Sequence, residues 1–544
     1  MGIAYGCQSC DAHIEVLAEV AQKPPESPEP PEPPEQFQSD SRISSKGMQV
    51  KRCSLDIDPD ITRGIFLKDT LRNAGRLWYW SPSSLPEQER ASLWSRSHPV
   101  ERFDLFLSHT WQTRGGWKFL SLSLQFGCYF ALAVWILVVA LVELLFMVDV
   151  LPPQFNYATS IQDYDLSIPF GGWAVCLSVP ASILGLLLYP YIPDFGCKKQ
   201  PCCFLDVVSI HQTDKEKMER GIYGLGGFVS ASKELRILWS QPYLSRLWCV
   251  FELAAFRTAN PQSKIHLAPL NIEAVVAASF LCCFILVVIA LPLMPSAEFR
   301  LSSGVTAVFI PALVPAAAIF HVLRKSLTLK RQLFSELDAF DLNQVSCRED
   351  FDKKFIHEAI VQWYGSLDEF TAYVRGPLRK ELLADHSGTS LPLQYTLMIV
   401  TPIVSLGIDV ITAHIKAGTP YRMVLSYGFG MVLGNYLSYA MFLFWFGMFL
   451  CSHFPPVKAP LLSILQSLGL FIVWIVVIMA GLMAAWYIYS RSLLGSVLYC
   501  LTTLVLTCST HGTLKMPWQE KILMFFKGIH HARHTEEAES VEAV

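Results

Sequence analysis

Charge is scarce in this chain, and neither sign dominates. Asp, Glu, Lys and Arg make up 16% of 544 residues, with 43 basic against 46 acidic side chains. A basic stripe able to neutralise phosphates is missing, so no nucleic-acid partner is expected. Regular cysteine spacing is missing too. The 15 cysteines are scattered, several of them inside apolar runs (Cys128, Cys176, Cys282, Cys283, Cys500, Cys508). That argues against a disulfide framework and fits reduced, cytosol-facing soluble parts. Cys197, Cys202 and Cys203 share one loop without a fourth zinc ligand at suitable spacing, so no metal site is read there, and free or lipidated thiols are expected. No apolar run opens the chain, so no cleavable signal peptide is expected. No phosphate loop, dinucleotide-type glycine motif or hydrolase triad is present either.

What is abundant is apolar surface. Hydrophobic residues reach 52% and the mean hydropathy is +0.36. A helix needs ~20 apolar residues to cross ~30 Å of hydrocarbon. About eight such runs are expected by that measure, over 123–148, 173–191, 272–294, 305–323, 393–414, 425–449, 465–487 and 493–506. The connection 149–172 has no Lys or Arg, whereas 193–271 and 324–392 carry Lys198, Lys199, Lys215, Lys217, Arg324, Lys325, Lys330 and Arg331. The positive-inside rule puts those two segments, and with them both termini, in the cytosol. Lys416 and Arg422 run against this pattern. The expected fold class is an α-helical polytopic membrane protein carrying a cytosolic α/β domain.

The soluble stretches read as alternating strands and helices. "FDLFLSHTW" (103–111) is a buried strand opening into a loop, and 203–210 is a second, followed by a charged loop from His211 to Arg220. A helix over "IYGLGGFVSASKE", a strand at 235–241, the helix "LSRLWCVFELAAF" (244–256) and a strand at 264–270 complete the series. Such alternation predicts a parallel sheet with helices on its faces. The mixed, Trp-bearing segment 61–100 is expected to form short helices against it. The segment 324–392 reads as two helices broken near Gly365, able to pack under the sheet.

Phe103, Asp104, Phe106 and Ser108, then Phe204, Leu205 and Asp206, then Ser245, Trp248, Cys249, Glu252 and Leu253 together resemble a TIR (Toll/interleukin-1 receptor) domain. The resemblance covers roughly 103–270. It departs from the family at two points: a membrane hairpin replaces the helix between the first two strands, and no clear fifth strand follows Leu270. It implies a flavodoxin-like fold and self-association with other TIR domains. In members that hydrolyse NAD, the glutamate of the last motif is catalytic. Glu252 is therefore the candidate catalytic residue, with Ser108, Trp248 and His211 as candidate substrate-binding residues and NAD as substrate rather than resident cofactor. On the helix, Leu247, Val250, Phe251 and Ala254 form the sheet-facing stripe, with Trp248 and Ala255 beside Glu252. The plainer role for Glu252 is a surface ion pair with Arg246 or Lys233.

The resulting organisation is 1–60, an unpacked start with a Pro/Glu linker (24–36); 61–117 and 193–271, the split α/β domain; 118–192 and 272–323, membrane hairpins; 324–392, cytosolic helices; 393–510, a four-span bundle; and 511–544, a basic amphipathic then acidic tail. Cys7 and Cys10 are candidate lipidation sites. The expected role is membrane-anchored signalling. The alternative is an ion or solute transporter or channel with a regulatory domain, marked by the membrane-embedded acids Glu143 and Asp409. Gly430 and Gly434 stand at helix-packing spacing.

Overall fold

A computed structural model describes residues 55–511 except 57, 80–84, 162–163, 194–199, 294–302, 348–349 and 387–390. The expectations for the Pro/Glu linker, Cys7, Cys10, Cys197 and the tail beyond 511 lie outside the described residues. Seven helices are long and apolar enough to cross a membrane: Gly115–Met147, Trp173–Tyr191, Leu270–Ala290, Leu393–Lys416, Tyr421–His453, Pro460–Tyr489 and Leu493–Thr510. The span expected over 305–323 falls within helix Ser303–Asp338, whose side chains are described only from Leu313 onward. Among the described residues the count is therefore seven rather than eight. Helix Pro460–Tyr489 exposes Leu461, Leu468, Ile472 and Val476 along its length. A continuous apolar face of that length suits hydrocarbon, as in a multi-pass protein in a lipid bilayer.

Beside the bundle lies a six-stranded sheet. Its strands are β1 (Arg63–Phe66), β2 (His98–Pro99), β3 (Phe103–His109), β6 (Cys202–Phe204), β7 (Ser232–Trp239) and β8 (Lys264–Pro269), in the order β2-β1-β6-β3-β7-β8. Strands β4 (Phe155–Ile161) and β5 (Tyr164–Phe170) form a separate antiparallel hairpin between the first two spans. The pairings β6–β3, β3–β7 and β7–β8 are parallel, and β1 adds antiparallel to β6. The sheet is therefore mixed. The segment expected to supply only short helices contributes β1 and β2 at one edge, alongside helices Leu67–Gly75 and Glu87–Trp94.

The two pieces of sheet separated by the first membrane hairpin meet at Leu105 opposite Cys203. Aromatic packing reinforces the junction: Phe106 stacks on Phe204 at 4.5 Å, and Phe204 on Phe228 at 5.0 Å. A buried Phe contributes on the order of 2 kcal/mol by leaving water. Strand β6 is only three residues long, ending at Phe204, and a short helix Asp206–Ser209 follows. Val207 is therefore helical rather than a strand residue. The free thiols of Cys202 and Cys203 are buried in the sheet, which removes them as lipidation sites. Most of the expected loop after His211 is helix Lys215–Tyr223, started by the Asp214 side chain accepting from Lys217 N–H. Helix Leu225–Ser230 follows, and β7 begins at Ser232, earlier than its pattern suggested.

The sheet is joined directly to membrane helices. Helix Gly115–Met147 begins against the sheet, where Leu122 and Phe119 pack with Leu105 and Leu107, and then continues as a span. Strand β8 runs without a loop into helix Leu270–Ala290. On the other face, helices Asp350–Tyr364 and Leu367–Tyr373 share a core with helix Leu247–Ala259 through Phe251, Phe355, Ile360 and Phe370.

Candidate functional site

The carboxyl ends of parallel strands gather loops and helix starts, which is where open α/β sheets place ligands. Here the parallel strands run β3, β6, β7, β8 in sequence and β6-β3-β7-β8 in space. The chain reverses direction between β3 and β7. Ser108, near the end of β3, sits at this reversal, fully buried. Its hydroxyl meets the Tyr243 hydroxyl at 2.6 Å and donates to the Glu252 carboxylate. The structure thus brings together two of the candidate site residues, Ser108 and Glu252, and adds Tyr243, which lies in the turn between β7 and the Glu252 helix and was not among the candidates.

Glu252 is not a surface ion-pair residue. Lys233 bonds Asp104 instead, at 2.7 Å. Helix Leu247–Ala259 is buried nearly all round, because the sheet covers one side and the helices after residue 350 cover the other. That second cover was invisible to a helical wheel that assumed solvent opposite the apolar stripe. The Glu252 side chain keeps a little solvent access, but its carboxyl is embedded, and burial pushes it up to about 8. The Ser108 hydrogen bond pulls it down, and the nearby Asp206 charge adds to the rise.

The expected partners Trp248 and His211 do not join this group. The Trp248 indole turns away, donating to Asp352 at 3.1 Å and packing on Phe251 and Phe355. The His211 ring packs on Trp94 at 5.0 Å, and its Nδ1 accepts from Thr213 N–H and Asp214 N–H at 3.3 and 3.0 Å. Those bonds shape the turn that leads into helix Lys215–Tyr223.

Other groups do lie at the strand ends. Trp111 donates to Asp206 at 2.9 Å, and Lys118, fully buried, lies 5.0 Å from the centre of the Trp111 ring. His109 packs edge-on against Trp78 and Trp111, and burial next to Lys118 holds it well below the usual histidine range. Asp206 is pushed up by burial, against its bonds to Trp111 and Val207 N–H and the Lys118 charge. The signal for these residues was faint: an indole and a lysine within one turn of a helix start, in "TWQTRGGWK". Among the described residues no group of three or more His, Cys, Asp or Glu could hold a metal.

The membrane acids lie elsewhere. Both Asp409 oxygens accept from backbone N–H groups, Ala174 at 2.9 Å and Val175 at 3.1 Å. Asp409 therefore caps the first turn of helix Trp173–Leu188. Glu143 lies close enough to Asp409 and Thr412 to interact with both, though its oxygens are buried without a well-formed hydrogen bond. Lys416, which runs against the expected charge pattern, forms an ion pair with Asp149 at 2.7 Å. Gly430 and Gly434 serve packing: a Cβ at either would lie 2.9 Å from a tyrosine, Tyr489 and Tyr499 respectively.

Comparison with known proteins finds no matching family, no matching curated protein and no matching solved structure.

The Glu252 environment makes a pH prediction. The folded carboxyl keeps its proton up to about pH 8, whereas the free acid loses it near 4.5. Between those values the folded state binds more protons, so stability falls as pH rises through the window. Glu252→Gln mimics the protonated acid and lacks this dependence. Its stability relative to wild type should grow by on the order of a few kcal/mol from about pH 5 to about pH 8. Chemical denaturation at several pH values measures this; parallel curves would mean that the carboxyl is solvated.

Proposed function

We propose that this is a membrane-anchored signalling protein whose sheet domain is flavodoxin-like and TIR-like, faces the cytosol and acts by TIR-type self-association. One observation carries the reading: parallel strands in the spatial order second-first-third-fourth, with Ser108 and Glu252 hydrogen-bonded at the reversal point. The reading is supported by Phe103–Ser108 lying on β3, Phe204 at the end of β6, and Trp248, Cys249, Glu252 and Leu253 on helix Leu247–Ala259, with Ser245 in the turn before it.

NAD cleavage at Glu252 is the catalytic extension of this reading. Departure of nicotinamide leaves an oxocarbenium-like ribose, which an ionised carboxylate stabilises. Glu252 holds a proton near neutral pH and is engaged by Ser108. Cleavage therefore requires both release of the Ser108 contact and deprotonation. In full-length protein any NAD cleavage should rise with pH through about 8 and vanish in Glu252→Gln.

Association is tested by expressing two differently tagged full-length copies in one membrane. They are expected to co-purify, and reversing the exposed charges Lys215 and Lys217 on the helix after His211 should reduce recovery at least severalfold. Failure of the unaltered copies to co-purify would defeat the association reading. Transport is the second reading, favoured by the Glu143–Asp409 neighbourhood in the bundle. The capping role of Asp409 weighs against it.

A further inference from the structure

The sheet and the membrane bundle are not merely tethered. A continuous chain of polar contacts runs from one to the other. On β7, Arg236 leaves the sheet, bonds Glu234 through Nε and Nη2 at 2.9 and 2.7 Å, and lies over the Phe126 ring at 4.7 Å. Its Nη1 donates to Gln125 Oε1 at 2.8 Å. Gln125 stands on helix Gly115–Met147, and its Nε2 donates to Ser121 Oγ at 2.8 Å and to Glu273 Oε1 at 3.2 Å. Glu273 opens helix Leu270–Ala290 and also accepts from the Tyr395 hydroxyl at 3.4 Å, at the start of helix Leu393–Lys416. Arg236, Glu273 and Tyr395 are all buried.

The Gln125 amide can sit in only one sense. Its carbonyl must face the guanidinium and its NH2 the carboxylate, because the flipped amide would set donor against donor and acceptor against acceptor. Each contact therefore depends on the placement of the next, and a shift of β7 relative to the three helices breaks the chain at Gln125. Buried networks of this kind are strong when complete and costly when half-made, which ties their members into one cooperative unit.

We propose that the Arg236–Gln125–Glu273–Tyr395 chain couples the sheet domain to the membrane bundle, so that a change imposed on the sheet by a partner or ligand is felt by three spans. The proposal stands independently of the TIR-type reading, since it concerns how the domain is mounted and not what it binds.

Buried thiols provide native reporters on both sides: Cys203 and Cys249 in the sheet domain, Cys128 and Cys451 in the bundle. Full-length protein in detergent is heated in the presence of a thiol reagent, and each cysteine is quantified by mass spectrometry. In wild type all four should become reactive in one transition. In Gln125→Leu the sheet thiols should react several degrees before the bundle thiols. A single transition retained in Gln125→Leu, or a split one already present in wild type, would overturn the proposal. A double-mutant cycle guards against a variant that folds poorly. Arg236→Met and Glu273→Gln should together lower the midpoint by less than the sum of their separate shifts. Strict additivity would equally overturn it.

Discussion

Arg324→Met is expected to loosen the second half of the bundle, lowering stability by about 3–5 kcal/mol. Arg324 is fully buried, and the structure gives each of its five N–H groups an acceptor. Nε and Nη2 bond the Phe454 carbonyl at 3.0 and 2.9 Å, Nη2 also bonds Gln466 at 2.6 Å, and Nη1 bonds the Ser463 carbonyl at 3.2 Å and the Ser467 hydroxyl. The guanidinium thus clamps helix Ser303–Asp338 to the end of helix Ala440–His453 and to the first turns of helix Pro460–Tyr489. None of these five contacts is to a carboxylate, so Coulombic pairing is not what holds the charge. Methionine of similar length would leave the Phe454 carbonyl and the Gln466 amide facing apolar surroundings. Arg324→Lys should recover little, because an ammonium cannot span the fork that the guanidinium fills. Thermal unfolding in detergent measures both variants; an Arg324→Lys midpoint equal to wild type would show that charge alone suffices.

The spans and most strands were legible because their signals are local. An apolar run long enough to cross hydrocarbon, or a short buried strand such as "FDLFLSH", declares itself within a window of residues. The parallel pairing of β3 with β6 was legible too, since an even number of long apolar runs separates the two strands. What was not legible depended on remote partners. Strands β1 and β2 are short and carry Arg63 and Pro99, so nothing in their own pattern marks them; they are strands because β6 offers an edge. Val207 and Val208 read as strand by β-branching, yet they lie in the short helix Asp206–Ser209, where the Asp206 side chain accepts from Val207 N–H and Leu205 N–H donates to the Ser209 hydroxyl.

The same distinction runs through the site. Ser108 and Glu252 could be assigned to a strand and to a helix because the pattern of each element is local. Tyr243 was missed because nothing in "SQPYLSR" shows that its ring turns back under β3. Trp248 was misplaced because the wheel cannot show Asp352, more than one hundred residues away, offering the indole an acceptor. The roles of Arg236 and Gln125 exist only once sheet and spans are assembled.

Asp409→Leu is expected to be as damaging as any single change in the first half of the bundle. Within a membrane no water is available to a freed backbone donor, and each unsatisfied group costs several kcal/mol. Leucine would strand the Ala174 and Val175 N–H groups at a helix N-terminus. Asp409→Asn keeps one carbonyl oxygen, able to accept from one of those groups, so about half the loss should be recovered. The pair of variants also separates the two readings of this acid. If Asp409 is a cap, detergent melting midpoints should fall in the order wild type, Asp409→Asn, Asp409→Leu, and ion flux in liposomes should not depend on it. If it lies on a transport path, Asp409→Asn should abolish flux while leaving the midpoint near wild type. That second pattern would reverse the preference for signalling over transport, because a buried carboxylate that the fold can do without must be there for something that passes.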